Sequence, residues 1–221
     1  MFKDIIDAFT KSKLIKEAYE ECGEMHHEVE EMFQASFDCF FGKCSLKSVM
    51  DEDLKVNRKL VRIRKKILEY LAVNTAPDLN AALELSAIAG EYERIGDYCK
   101  NIAELNSIYG VELKKNELGK HAKKLREIIT EQFKAVHDAV RDEDEELAKK
   151  SDELNEIVKK VHRDIIKEVK EHPKMNAVEA AVYSSLATYC RRISSHLENI
   201  STVVTNPFPE MGFRLGDYAD Y

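Results

Sequence analysis

A segment that occurs twice, about 98 residues apart, constrains the fold of this chain more than any other feature of its sequence. Residues 93–104 read ERIGDYCKNIAE, and residues 191–200 read RRISSHLENI. The same offset joins further identical pairs: Asn57/Asn155, Ala82/Ala180, Ser86/Ser184 and Ala89/Ala187. A third set lies at an offset of about 100: Phe33/Phe133, Ala35/Ala135 and Asp38/Asp138. These pairs indicate duplication of a whole structural unit, with the halves joined near residues 107–112.

Apolar side chains recur every three or four residues along most of the chain, which is typical of amphipathic helices. This period predicts six helices, over about residues 12–41, 49–71, 79–105, 112–141, 144–171 and 175–204. Helix-breaking residues lie between or after them: Gly42, Pro77, Gly110, Pro173 and Pro207. Short connections make neighbouring helices antiparallel. We therefore expect an all-α fold of two tandem, similar three-helix bundles, in residues 1–109 and 110–204, lying side by side or end to end.

The C-terminal tail, residues 205–221, departs from the helical pattern. It is rich in aromatic side chains: Phe208, Phe213, Tyr218 and Tyr221. These are too many for a purely solvated segment, so we expect the tail to pack back on a bundle or across a dimer. A docking peptide for another protein is the alternative.

Charge and cysteine content narrow the class of protein. The formal net charge of −7 argues against a nucleic-acid binder, because phosphate contacts need a basic face. Five scattered cysteines without a C-x-x-C pair favour reduced thiols in a cytoplasmic protein. The N-terminal stretch is too charged for a signal peptide, and no window approaches the roughly 20 apolar residues of a membrane span, so membrane insertion is not expected.

An acidic stripe follows one face of the third predicted helix. At about 100° per residue, Glu93, Asp97, Asn101 and Glu104 lie within roughly 80° of one another. Carboxylate and amide oxygens that converge from one surface can bind a metal cation. Such stripes are also common on solvated faces, where Lys100 could pair with Glu93, Asp97 or Glu104. Spacing alone leaves both readings open.

The first motif, an E-x-x-x-D helix leading into N-I-A-E, resembles the signature of the PhoU family of phosphate-uptake regulators, in which it occurs twice. The resemblance implies a cytoplasmic, dimeric, non-enzymatic protein of two tandem three-helix bundles. It implies as partners a membrane phosphate transporter or its ATPase subunit, and a sensor histidine kinase. It also implies iron or zinc bound through the acids, with Glu93 and Asp97 as leading ligands, supported by Asn101 and Glu104, and Asp53 as a weaker one.

The second copy departs from that signature. Arg191 and Ser195 stand where the acids belong, and Ser151 matches Asp53. The second helix also carries a basic run that could neutralise Glu93 and Asp97 without metal: Arg58, Arg62, Lys65 and Lys66. We therefore expect either one residual metal site in the first half or ion pairs in its place.

Enzyme motifs are incomplete in this chain. The stretch from His27 to Glu31 lacks the second histidine of a zinc protease, and Glu24-x-x-His27 lacks the second half of a di-iron site. We expect His26 and His27 to be surface residues. Three hypotheses remain: a non-enzymatic adaptor that lowers the activity of a phosphate transporter, a metal-binding or metal-storing helical protein, and a helical adaptor for another transporter or kinase.

Overall fold

The computed structural model describes residues 12–43, 45–109, 117–172 and 174–213, together with the side chains in these ranges except those of 107–109. Six α-helices occupy these ranges, followed by a short 3₁₀ turn. They are α1 (Lys13–Phe40), α2 (Leu46–Val73), α3 (Leu79–Tyr109), α4 (Glu117–Asp142), α5 (Glu145–Glu171) and α6 (Ala177–Ser201), and the 3₁₀ turn is Phe208–Glu210. The predicted all-α class is confirmed.

Helix ends follow the local sequence closely. Gly42 adopts φ 73° directly after α1, a conformation that glycine adopts without steric cost. Asp144 caps α5 by accepting hydrogen bonds from the backbone N–H groups of Glu146 and Leu147. The last helix ends at Ser201, three residues before the predicted residue 204, because residues 202–205 turn away. Residues 112–116, the predicted start of the fourth helix, lie outside the described ranges.

The two bundles lie side by side. Helices α1, α2 and α3 pack on one another, as do α4, α5 and α6, and α3 packs extensively on α6 while α1 contacts α4. One continuous hydrophobic core results, and the rings of Phe33 and Phe133 meet within it at a centroid distance of 5.6 Å. At its edge, Arg126 of α4 donates hydrogen bonds to Gln34 and Asp38 of α1. The end-to-end alternative is not observed.

The start of the tail packs back on the molecule, as one of the two readings predicted. Met211 packs against the core, and the backbone N–H of Gly212 donates a 2.8 Å hydrogen bond to Thr202 Oγ1. Asn206 Nδ2 donates to the carbonyls of Glu210 and Phe213. Tyr218 and Tyr221 lie outside the described residues, so the docking-peptide reading of that part stays untested.

Two further expectations concern membranes and thiols. None of the helices in the described ranges is long and apolar enough to cross a membrane. Cys22, Cys99 and Cys190 are free and buried, as expected. Cys39 is disulfide-bonded, so the prediction of reduced thiols throughout is wrong at this position.

Candidate functional site

The acidic face predicted on α3 has the expected orientation. Ile95, Cys99 and Ile102 are fully buried, whereas the polar residues of the predicted acidic stripe are only half-buried. These polar residues are Glu93, Asp97, Asn101 and Glu104. The helical period therefore placed the apolar and acidic faces of α3 correctly from the sequence.

A lysine joins two of the predicted ligands. Lys100 Nζ lies 2.7 Å from Asp97 Oδ1 on the same helix and 3.2 Å from Asp53 Oδ2 on α2. Asn57 Nδ2 also donates a hydrogen bond of 3.4 Å to the same oxygen of Asp53. Asp53 is buried, so a cation beside it offsets the cost of burying its charge. Lys100 thus supplies part of the positive charge beside these carboxylates, which from the sequence either a metal ion or a lysine could supply.

Glu93 stands apart from this ion pair. It makes no ion pair with any residue in the described ranges, although Arg94 and Arg64 are close enough to favour its charged form. Partial burial, and then the neighbouring charges of Asp97 and Asp53, raise the pKa of Glu93 above its usual value. A cation placed between these three carboxylates would relieve that repulsion.

The basic run of α2 does not neutralise the acidic face, contrary to one reading of the sequence. Lys66 Nζ lies 2.9 Å from Glu17 of α1, and Arg62 Nε lies 3.6 Å from Glu21. Lys59 pairs with the next two acids along α1, Glu24 and Glu28. These cations face α1 because their positions lie on the opposite edge of α2 from Asp53. They join α1 to α2.

The predicted metal ligands form no ready-made coordination shell. Within the described ranges, no three His, Cys, Asp or Glu side chains are close enough to hold one metal ion. Asp53 and Asp97 approach each other only through Lys100, whose ammonium group lies where a cation would be needed. The donor oxygens suit a hard or borderline cation. A metal must therefore displace Lys100 before these carboxylates can converge.

The matching place in the second bundle holds a buried, mostly neutral network. Gln132 Nε2 donates to the carbonyl of Ser194 at 3.0 Å, and the Ser194 hydroxyl donates to Gln132 Oε1 at 2.6 Å. That hydroxyl is also 3.0 Å from Asn155 Oδ1, and Asn155 Nδ2 donates to Glu198. At the repeat offset, Asn155 and Glu198 of the second bundle occupy the positions that match Asn57 and Lys100 of the first. The second bundle thus lacks the acidic motif, as expected, and has a network of hydrogen bonds in its place.

One buried histidine contradicts its predicted surface position. His26 is only 1% exposed and lies between the bundles, with Nδ1 3.1 Å from the Tyr92 hydroxyl. Its ring contacts those of His137 and Phe133 on α4. Burial, and then the charges of His137 and His27, lower the pKa of His26 to about 3. His27 is exposed, as expected.

A polar cluster between the bundles was missed by the sequence reading. Glu91 of α3 accepts hydrogen bonds from Asn199 Nδ2 at 3.1 Å and from Arg94 at 3.0 Å. Its other contact is His196 Nδ1 of α6, at 2.6 Å, and the His196 ring stacks on Tyr98. These hydrogen bonds outweigh burial, so the pKa of Glu91 is lowered. Glu91 matches Tyr189 in the repeat, so the comparison of the two copies did not predict a polar contact at this position.

Comparisons with known proteins agree with this architecture. Two copies of the PhoU domain match the sequence, over residues 22–105 and 122–204. The fold is similar to that of PhoU from Pseudomonas aeruginosa, with a TM-score of 0.77 at 18% identity over 86% of this chain and 95% of that one. It is also similar to the phosphate transport system regulatory protein PhoU from Streptococcus pneumoniae, with a TM-score of 0.74 at 15% identity over 86% of this chain and 92% of the other. No significant match was found among curated protein sequences. Because the two matched copies span most of the sequence, the chain belongs to the PhoU family.

Proposed function

We propose that this protein is a non-enzymatic, cytoplasmic regulator that lowers the activity of a membrane phosphate transporter when phosphate is plentiful. The observation that carries the proposal is the pair of PhoU domains, which together account for most of the chain. Six long helices in two bundles offer wide, rigid faces for a transporter, its ATPase subunit or a sensor histidine kinase. A homodimer is the assembly that we propose.

Phosphate uptake in the source organism tests this role. Deleting the gene is expected to raise the rate of radiolabelled phosphate uptake in phosphate-rich medium, and the wild-type gene supplied in trans should restore the low rate. A tagged copy should co-purify a phosphate permease or its ATPase subunit. Unchanged uptake in the deletion strain, with neither subunit recovered, would contradict the proposal.

We also propose that the acidic motif binds iron or zinc weakly, in competition with Lys100. The raised pKa of Glu93 and the proximity of Asp53 and Asp97 support a demand for positive charge there. Replacing Lys100 with methionine should increase the divalent metal retained by chelator-washed, reloaded protein. The control is Glu93→Ala/Asp97→Ala, which should retain almost none. Equal and near-zero metal in the wild type, the Lys100→Met variant and the double alanine variant would rule out metal binding. The motif would then serve only to form the ion pair.

A further inference from the structure

Two histidines from different bundles meet at the surface between α1 and α4. The ring centroids of His27 on α1 and His137 on α4 are 4.9 Å apart. The ring of His26 lies behind them, at centroid distances of 5.7 Å from His27 and 5.1 Å from His137. At the repeat offset of about 100, His27 matches Glu127 and His137 matches Phe37. The fold that the two halves share therefore accepts other side chains at both positions.

The ring nitrogens of this pair are available to a ligand. His27 is exposed and His137 is half-buried, and neither ring makes a hydrogen bond or an ion pair with another residue in the described ranges. Burial, and then the charges of His27 and Arg141, lower the pKa of His137, so its imidazole is neutral at pH 7. The neutral ring is the form that binds metal ions. Behind the pair, His26 Nε2 is buried without a hydrogen-bond partner among the described residues.

The spacing of the two rings suits two ligands of one metal ion. Zinc lies about 2 Å from an imidazole nitrogen, so two rings bound to a tetrahedral ion have centroids about 5 Å apart. A half turn of a histidine ring about its Cβ–Cγ bond exchanges nitrogen and carbon positions and leaves the centroid nearly in place. The pair can therefore direct its nitrogens at one ion without a shift of either helix. Since no three possible ligands in the described ranges converge on one point, water completes the coordination shell.

The surroundings of the pair have room for a cation and favour its charge. Both rings line an open cleft of about 450 Å³ between α1 and α4, large enough for an ion and its water molecules. Three acids line the same cleft: Glu30, Glu127 and Glu131. Lys134 lines it as well, and Lys150 lies 2.6 Å from Glu131. On the other side of His137, Arg141 is paired with two acids: Asp138 and Asp142. Acids outnumber cations among these residues, which favours a positively charged ligand.

We propose that His27 and His137 bind one divalent metal ion of the zinc, nickel or copper class, which links the first bundle to the second. Imidazole is a preferred ligand of these metals, whereas the acidic motif offers oxygen donors. An ion held by both bundles stabilises the folded protein, because it binds the folded state and not the unfolded chain. The site lies on α1 and α4, away from the acidic motif of α2 and α3, and it does not depend on a role in phosphate uptake.

Isothermal titration calorimetry with zinc chloride tests the proposal on the full chain. The starting protein is the double alanine variant of the acidic motif, so that this motif contributes no binding. An ion held by two imidazoles and water exchanges rapidly, so titration at equilibrium detects it although desalted protein does not retain it. We expect one zinc ion per chain, and His27→Ala or His137→Gln should weaken its binding about tenfold or more. His172→Ala, at an exposed position, and His162→Gln, at a half-buried one, are the matched controls and should not change it.

Thermal unfolding gives a second readout of the link between the bundles. Zinc should raise the Tm of the starting protein and of both control variants, and should leave the Tm of His27→Ala and His137→Gln almost unchanged. Because His27 is exposed, its variant keeps the test valid even if His137→Gln destabilises the fold.

Three results would overturn the proposal. The first is absence of zinc binding by the starting protein, and the second is equal affinity in the His27 and control variants. The third is a loss of binding in His27→Ala but not in His137→Gln, which would place the ion on α1 alone, between His27 and Glu31 one turn away. All measurements use purified protein, so failure here is distinguishable from failure of the phosphate-uptake test.

Discussion

Burial of a single titratable ring gives the clearest consequence at the scale of residues. His26 stays neutral in the folded protein because its ring is enclosed between the bundles and lies beside His27 and His137. Its pKa falls from 6.5 to about 3. In the unfolded chain the ring is solvated and accepts a proton near pH 6.5. Protonation therefore favours the unfolded state between these two values, and the stability present above pH 6.5 is lost as pH falls.

Replacing His26 with glutamine should remove this part of the pH dependence. Between pH 7.5 and pH 5, His26 is expected to cost the wild type about 2 kcal/mol of its free energy of unfolding. Glutamine does not titrate, and its amide can still reach the Tyr92 hydroxyl. Urea unfolding at both pH values should show a smaller drop in the variant. His27→Gln, at an exposed position, is the control, and an identical drop in all three proteins would contradict the prediction.

The sequence predicted the acidic face of α3 but not the partners of its residues. Glu93 and Asp97 follow from the period of one helix, because their direction depends only on spacing within that helix. The contact between Lys100 and Asp53 depends on the register between α2 and α3, which no local pattern fixes. The burial of His26 likewise depends on α4 packing against α1. Single residues of this kind become predictable only once the helices are placed.

At the scale of helices, the duplicated halves use different side chains at one matching buried contact. In the first bundle, a Cβ added at Gly96 would lie 3.7 Å from the side chains of both Met32 and Val56 and 3.9 Å from Asp53 Oδ1, so its two nearest neighbours are apolar. In the second, the matching Ser194 and Gln132 are fully buried and hydrogen-bonded to each other. The exchange changes the chemistry of this buried contact from apolar neighbours to a hydrogen-bonded pair.

Gln132 and Ser194 should therefore be energetically coupled. Gln132→Met alone removes both partners that the amide gives to Ser194 and should destabilise the protein by about 2 kcal/mol, because buried polar groups lose their hydrogen bonds. Adding Ser194→Ala removes the hydroxyl, whose remaining acceptor in the Gln132 variant is Asn155 Oδ1, and recreates part of the apolar contact. The double variant should be about 1 kcal/mol more stable than the sum of the two single changes predicts. Chemical denaturation of all four proteins measures this cycle, and strict additivity would show that the two side chains act independently.

At the scale of the whole molecule, the repeat predicted two bundles but left their arrangement open. Apolar periodicity locates the buried face of a helix without naming what buries it. α3 and α6 did carry a usable signal, since apolar and small residues occupy more than one of their faces, as expected for helices buried on two sides. Each packs within its own bundle and against the other. The interface between the bundles follows from that double burial.

A continuous core implies that the bundles unfold as one cooperative unit. Ile63 of α2 and Val161 of α5 occupy matching positions in the repeat and are almost fully buried. Within the part of the chain that the structure describes, their helices do not contact the opposite bundle. Ile63→Ala should remove about 3 kcal/mol of stability, and Val161→Ala somewhat less, since fewer methyl groups are lost. Hydrogen exchange followed by mass spectrometry should then show equal losses of protection for the slowest amides of α2 and α5 in either variant. Loss confined to the mutated bundle would mean that contacts between α3 and α6 hold two separately folding bodies together.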